Sequence, residues 1–375
     1  MSGIYIHIPF CKSRCLYCGF YSTTLLSLAH DYVEALCREI TLRHEEVTEP
    51  ATTIYIGGGT PSLLGGQLLG RLVQAARQTA PGAREITVEC NPDDVTPQFA
   101  LALKGMGVNR VSMGVQTFCD RRLAFLQRRH TAREAREAVA ALRTAGIGNI
   151  SIDLMYGFPN ETLEQWNSDI TAALELKVEH ISAYALTYED GTPLFAMVEK
   201  GTATPIGEEQ SLAMYNSLAS RLGQAGYEHY EISNFAKKGF RSQHNSSYWN
   251  ATPYIGLGAA AHSYDGKALR RWNVPDVRRY MAGVRQGTVP AEQELLSEAS
   301  RYNETVMLGL RTCEGVDLDT LRSSFGQKKY SYCMENARKF IASGQLVVDK
   351  GHLRLSRKAL FVSDMIISEL FCTEP

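Results

Sequence analysis

The stretch Tyr5-Ile6-His7-Ile8-Pro9-Phe10-Cys11-Lys12-Ser13-Arg14-Cys15-Leu16-Tyr17-Cys18 decides how the rest of the chain is read. Ile4 to Ile8 is a short apolar run of strand type, and three cysteines follow it at spacings of four and three residues. Three thiolates so spaced on one irregular loop can wrap three corners of an iron–sulfur cube, because such clusters are held by Cys sulfur at short spacings. One iron then has no protein ligand. A structural zinc site asks for a fourth ligand and usually a second Cys or His pair. The local candidate is His7, which alternates with Tyr5 along the strand, and position 20, where a fourth Cys could stand, is Phe20. Cys37, Cys90, Cys119, Cys313, Cys333 and Cys372 are scattered and read as small buried apolar residues.

Working outward, short apolar runs alternate with longer amphipathic ones. Ile4–Ile8, Ile54–Ile56, Ile86–Glu89, Arg110–Val115, Ile150–Tyr156 and His180–Leu186 read as six strands. Helical segments between them open on good caps: Thr96 before Pro97, Thr131 with Glu134 three residues on, and Thr162 with Gln165. Strand starts lie 24 to 50 residues apart, the length a right-handed crossover helix needs, so the strands are expected to be parallel neighbours. Six such units make an open barrel or a doubly wound sheet, and the pattern alone does not separate the two.

Beyond Gly226 the rhythm changes. Residues Tyr227 to Asn273 are polar, aromatic and Gly-rich, with few helical signals, and are expected to add strands and loops that close the barrel. Helical periodicity returns near Glu292. The tail reads helix, helix, Leu346-Val347-Val348, a Lys350-Gly351 turn, Leu353-Arg354-Leu355 and a last helix, an order like a winged helix. From Asp317 to Pro375 there are nine Lys and Arg against seven Asp and Glu and no basic recognition helix, so a packing or docking role is favoured over DNA binding.

Global composition removes several classes. The chain has 375 residues, 44% of them apolar, enough for two domains each with an ordinary core. With 39 basic and 40 acidic residues there is no net positive field to attract nucleic acid or anionic lipid. No run reaches the eighteen or so apolar residues of a spanning helix, and no signal-peptide order is present. Nine cysteines, an odd number, argue against a disulfide framework. These features lead to a cytoplasmic expectation.

Polar residues recur where strands end. Gly57-Gly58-Gly59-Thr60-Pro61 follows the second strand, where glycines let backbone amides approach a ligand. Glu89 closes the third strand, Gln116 follows the fourth, Arg128 lies twelve residues beyond it, and Asp153 sits within the fifth. In β/α barrels the carboxyl ends of strands converge on one mouth, so these groups are expected together there.

The cysteine spacing resembles that of the radical S-adenosylmethionine (SAM) superfamily. The resemblance implies that the amino and carboxylate groups of SAM chelate the open iron of a 4Fe-4S cluster on Cys11, Cys15 and Cys18, and that one electron yields a 5'-deoxyadenosyl radical. It implies a partial (β/α)6 barrel over 1–290, with an extension at about 227–273, and a small helical, winged-helix-like C-terminal domain over 291–375. Tyr5-Ile-His-Ile-Pro-Phe-Cys11, Gly57-Gly-Gly-Thr-Pro61, Glu89-Cys-Asn-Pro92, Arg110-Val-Ser-Met-Gly-Val-Gln116 and Ser151-Ile-Asp-Leu-Met-Tyr-Gly-Phe-Pro159 are similar to motifs of its coproporphyrinogen dehydrogenase-like branch. Carried over by position, the branch's SAM contacts fall on Tyr5, Tyr17, Gly58, Gly59, Thr60, Glu89, Gln116, Arg128 and Asp153.

Two features of the branch set its haem chaperones apart from its oxygen-independent dehydrogenase. The dehydrogenase has a fourth Cys two residues after the third and a long segment ahead of the cluster. Here Phe20 takes that position, and Cys11 comes after ten residues. His244-Asn245-Ser-Ser-Tyr248-Trp249 resembles the His-Asn-x-x-Tyr-Trp motif of the chaperones. Imidazole is a good axial iron ligand, and aromatic faces such as Tyr248 and Trp249 can stack on a macrocycle. His262 is a second candidate ligand or a packing residue. The resemblance therefore implies haem as cargo, haemoprotein acceptors including respiratory ones, and a reducing electron donor. Peripheral membrane contact through partners, and a homodimeric state, are left open. Oxidative decarboxylation of coproporphyrinogen III is the enzymatic alternative, and a methyltransferase or haem-degrading activity is the third.

Overall fold

The computed structural model describes residues 2–46 and 50–373. Six parallel strands stand side by side in chain order: β1 (Ser2–Ile8), β2 (Ala51–Gly58), β3 (Glu85–Cys90), β4 (Arg110–Gln116), β5 (Asn149–Tyr156) and β6 (His180–Ala185). Helices Ala29–Leu42, Gly65–Thr79, Pro97–Gly105, Ala132–Thr144 and Leu163–Glu175 make the crossovers. All three expected caps are present. Thr96 accepts from the Phe99 amide, and Thr131/Glu134 and Thr162/Gln165 form reciprocal capping boxes, each cap worth about 1 kcal/mol.

Added strands extend the sheet at both sides. β7 (Glu228–Glu231) and β8 (Asn234–Ala236) lie antiparallel beyond β6. On the other side β9 (Tyr254–Leu257) runs parallel to β1, followed by antiparallel β10 (His262–Tyr264), β11 (Leu269–Asn273) and β12 (Ala291–Leu295). The order is β12-β11-β10-β9-β1-β2-β3-β4-β5-β6-β8-β7, a sheet curled into a partial barrel. Its outer face is apolar. Ile4, Ile6, Ile8, Ile54, Ile56, Ile86, Val88, Val111, Met113, Ile152 and Leu154 form one buried core with the helices.

Two details differ from the sequence reading. The stretch 227–273 contains a helix, Gln243–Trp249, capped by Ser242, whose hydroxyl accepts from the Asn245 amide. Seven residues are under two turns, too few for an apolar period to stand out. The C-terminal unit was expected to start at 291, yet β12 hydrogen-bonds to β11 in the large sheet. A separate core begins with helix Glu298–Leu310 and gathers Tyr302, Val306, Leu321, Cys333, Phe340, Leu353 and Ile366. It includes a small sheet, β13 (Val316–Asp317), β14 (Leu346–Asp349) and β15 (His352–Leu355), ordered β13-β15-β14. Lys350 and Gly351 turn between the last two with φ of 49° and 81°, the left-handed pair a tight hairpin needs. Among the described residues no helix is long and apolar enough to cross a membrane.

Glu39 ties the added strands to the barrel. Its fully buried carboxylate accepts from Arg43 (2.9 Å), the Gly258 amide (2.7 Å), Asn273 Nδ2 (2.8 Å) and Tyr280 Oη (2.6 Å). Removing the carboxylate leaves the Arg43 guanidinium buried beside empty space. Glu39→Ala is expected to cost about 3–5 kcal/mol, read from urea unfolding, with amide exchange rising first around Gly258 and Asn273.

Candidate functional site

Alternation along the strands decides what faces the barrel interior. On β3, Ile86 and Val88 point to the helices, which leaves Glu89 inside; on β4 Val111 and Met113 point out and Ser112 and Gly114 point in. β5 places Asp153 and Met155 inside in the same way, and β6 places Tyr184. Barrel interiors are usually filled by Val, Ile and Leu. This one is polar, and at the carboxyl ends of the strands it opens into a cavity of about 710 Å³.

Every residue expected to meet the cluster or SAM lines that one cavity: Cys11, Cys15, Cys18, Tyr5, Tyr17, Gly58, Gly59, Thr60, Glu89, Gln116, Arg128 and Asp153. The cysteine loop is pinned at both ends, since the Cys11 amide donates to Thr23 O (2.9 Å) and the Thr23 amide to Pro9 O (2.7 Å). The exit of β2 crosses close beneath it. The Gly59 amide donates to Ile8 O and the Thr60 amide to Phe10 O, both at 2.8 Å. A Cβ at Gly59 would stand 2.7 Å from Phe10 O, and Gly58 has a φ of +110°, so only glycine fits there. The Gly58 amide is taken by Glu89 Oε2 (3.0 Å). The amides of the glycine run are thus engaged within the protein.

The thiols are set among polar partners. Thr60 Oγ1 donates to Cys11 Sγ (3.8 Å) and Arg128 Nη1 to Cys15 Sγ (3.6 Å). Burial raises the Cys11 and Cys18 thiols, and the neighbouring cysteines raise them further. Among the described residues no three metal-ligating side chains are grouped closely enough for a single ion, whereas an iron–sulfur cluster is held by thiolates at its separate corners. Arg128 also donates to Asn91 Oδ1 and to Gly114 O, while its buried Nε has no partner among the described residues. That orphan donor suits a carboxylate.

Glu89 accepts from Tyr55 Oη (2.7 Å) as well as from Gly58, and burial pushes it up to about 7. Burial also raises Asp153, against the lowering effect of hydrogen bonds from Ser182 and Ser112. Gln116 sits at a register shift of β4 with φ of 66°, a conformation costing an L residue roughly 1–3 kcal/mol. Gly114 leaves the room, for a Cβ there would meet Gln116 Nε2 at 2.8 Å and Arg128 Nη2 at 3.1 Å. Tyr17 packs with Leu126, Met155 and Phe158 in a small apolar cluster at one wall. Phe20 is 78% exposed at the rim.

His244, Asn245, Tyr248 and Trp249 do not reach this cavity. His244 is wholly buried at the amino-terminal end of the strands, under Tyr5 and Tyr55, with ring centroids 6.3 and 5.1 Å away. Both ring nitrogens are bonded, Nδ1 to Thr53 Oγ1 (2.8 Å) and Nε2 to Tyr248 Oη (2.9 Å). In this arrangement the His244 imidazole is engaged on both nitrogens within a closed core. Burial lowers it to about 3, so it is neutral.

His7 is a local metal-ligand candidate in the sequence, whereas Tyr55, Tyr184 and Arg110 are not singled out there. His7 stands inside beside Tyr5 (Tyr5 Oη to Nδ1, 3.0 Å) and is lowered to about 4 by burial. Tyr55 and Tyr184 could have been found by continuing the inward period of two from Glu89 and Asp153 to the neighbouring strands. Arg110, 1% exposed, has Nε and Nη1 unpartnered among the described residues, and nothing in its strand position announces this.

A carboxyl raised on folding from 4.5 to about 7 keeps its proton in the folded chain while the unfolded chain loses it, so stability falls as pH rises through that window. Glu89→Gln removes the titration. The stability of this variant relative to the parent is expected to grow by about 1–2 kcal/mol between pH 5 and pH 8, discounted for solvent access to the cavity. Urea unfolding at both pH values measures it, and the comparison isolates Glu89 from Glu161 and Glu231, which burial also raises to about 7.

Comparison with known proteins agrees with this geometry. The Radical SAM superfamily profile matches residues 5–172 and the HemN C-terminal domain profile matches 296–362. The chain is 37% identical to the protein named heme chaperone HemW from Lactococcus lactis, over 86% of this chain and 85% of that one. It is 35% identical to the HemW of Synechocystis over 99% and 96%. The crystal structure of Escherichia coli coproporphyrinogen III oxidase (HemN), a radical SAM enzyme, superposes with a TM-score of 0.85 at 22% identity, covering 99% of this chain and 90% of that one. At that identity the superposition speaks for the fold alone. With the cysteine loop, the glycine strap and the polar barrel interior in one cavity, and with more than a third of residues shared along most of its length with these relatives, the chain belongs to the HemW family of radical SAM proteins.

Proposed function

We propose that this protein is a haem chaperone of the radical SAM type, which binds haem and delivers it to haemoproteins, respiratory ones among them, in the cytoplasm. The observation that carries the reading is the 35% identity over 99% of the chain to a protein named heme chaperone. Phe20 in place of a fourth nearby cysteine is in keeping with it.

In this reading Cys11, Cys15 and Cys18 hold a 4Fe-4S cluster and SAM lies beside it. When bound, the cluster supplies one-electron reduction at the sulfonium, drawing on an external reducing donor. The chain's own residues do the rest. Gly59 and Thr60 meet the amino group, and Arg128 donates from Nε to the carboxylate. Glu89 and Gln116 hold ribose hydroxyls and the base region, with Asp153 and Tyr17 closing the walls. The Glu89 carboxyl, near neutrality, can accept from a hydroxyl in one form and donate in the other.

Two measurements test this. Replacing Cys11, Cys15 and Cys18 by Ala should remove cluster iron, sulfide and the broad visible absorption while leaving the chain soluble; iron and sulfide retained by the triple variant contradict the ligand assignment. Anaerobic incubation of the cluster-loaded protein with SAM and coproporphyrinogen III should return the tetrapyrrole unchanged, while haem-loaded protein passes haem to an apo-haemoprotein. Protoporphyrinogen would instead make the chain an oxidase, and methylated or ring-opened products would make it a modifying enzyme.

A further inference from the structure

Six cysteines lie outside the cluster loop, and the sequence gives them one reading, small buried residues. A neighbour sets one of them apart. Lys329 Nζ stands 2.7 Å from Cys372 Sγ. Sulfur is a large, weak acceptor, and elsewhere among the described residues the side-chain nitrogens that donate to a thiol stop farther off, Arg241 at 3.5 Å from Cys313 Sγ and Arg128 at 3.6 Å from Cys15 Sγ. The separation of Lys329 from Cys372 is too short for an N–H···S hydrogen bond and too long for a bond between nitrogen and sulfur. One oxygen atom bonded to both would span it.

Both partners are held where they meet. Lys329 lies in the second half of helix Leu318–Ala342, past the kink at Gly326, and its Nζ sits over the ring of Tyr302 at 5.8 Å. Tyr302 is fully buried and donates to Leu370 O (3.2 Å). Cys372 follows helix Ser363–Glu369 and is 5% exposed. Asn303 grips it from both sides, with Oδ1 accepting from the Cys372 amide (2.7 Å) and Nδ2 donating to its carbonyl (3.0 Å). Tyr332 Oη adds a bond to Phe371 O (2.8 Å). Lys329 and Cys372 are 43 residues apart in the chain, so their contact fastens the tail to the long helix of the C-terminal core.

We propose that Lys329 and Cys372 form a covalent N–O–S bridge in the presence of dioxygen, an oxygen-dependent staple of the C-terminal domain. The lysine ammonium first gives a proton to water. One Nζ–H bond and the Sγ–H bond then break, Nζ–O and O–Sγ bonds form, and the other oxygen atom of dioxygen leaves as water with the two hydrogens. Nitrogen and sulfur each give up an electron pair, and dioxygen takes all four electrons. The sulfur stops at its first oxidation level, which thiols reverse; they supply four electrons and return the amine, the thiol and a further water. No second cysteine is needed, which suits a chain with an odd number of them. Tying together residues so far apart restricts the unfolded chain, so the bridged form melts at a higher temperature. Neither haem nor SAM takes part.

Peptide mapping by mass spectrometry of the full-length protein tests this. Protein prepared without oxygen and then exposed to air should acquire a peptide pair joined between Lys329 and Cys372, heavier than the two separate peptides by one oxygen less two hydrogens. Excess dithiothreitol should release both peptides and lower the melting temperature by a few degrees. Lys329→Arg, which keeps a donor at the site, should retain a free Cys372 thiol in air and melt at the same temperature with or without dithiothreitol. Cys372→Ser should leave Lys329 unmodified. A free thiol at Cys372 of the native chain after exposure to air overturns the assignment, as does a disulfide from Cys372 to Cys333 or oxygen carried on the sulfur alone.

Discussion

Two hydrogen bonds hold this molecule to its purpose: the Gly59 amide to Ile8 O and the Thr60 amide to Phe10 O. They draw the exit of the second strand under the exit of the first, a separation ordinary parallel neighbours give up once their ladder ends. Glycine alone allows it, since a side chain at position 59 would strike the carbonyl it must approach. The consequence is local and strict. The cysteine loop leaves β1 directly above a strap whose amides at Gly58, Gly59 and Thr60 are already bonded within the protein.

The barrel interior follows from the same economy of strands. Apolar residues at alternate positions of β1 to β5 join the outer core with the helices, which leaves their partners inside free to be polar. Burying Glu89, Asp153, Arg110 and Arg128 costs stability that the outer core must offset. The interior accordingly holds hydrogen-bonded pairs such as Tyr55 with Glu89, together with guanidinium nitrogens that have no protein partner among the described residues. Unpartnered donors in a cavity are costly alone and favourable once an anionic group enters.

Much of this was legible in the sequence. The six strands, the caps at Thr96, Thr131 and Thr162, and the whole set from Cys11 to Asp153 follow from period, spacing and resemblance, because each is a local pattern with a local cause. What sequence did not give depends on long-range packing. Helix Gln243–Trp249 is short, and its histidine is 191 residues from the Thr53 hydroxyl that occupies it. The surroundings of that histidine, with Tyr5 and Tyr55 stacked above it and Tyr248 on its second nitrogen, exist only once the strands are assembled. Arg110 likewise looks like the polar start of a strand until the barrel closes around it.

In the proposed reading three thiolates leave one corner of a four-iron cluster open toward the Gly58–Thr60 strap and Arg128. Mössbauer spectroscopy of the anaerobically reconstituted protein, with and without SAM, reads the state of that corner. The expected result is four irons per chain, with the signal of a single iron site shifting when SAM is added. Four iron sites that all ignore SAM, or bound zinc in place of iron, would contradict it.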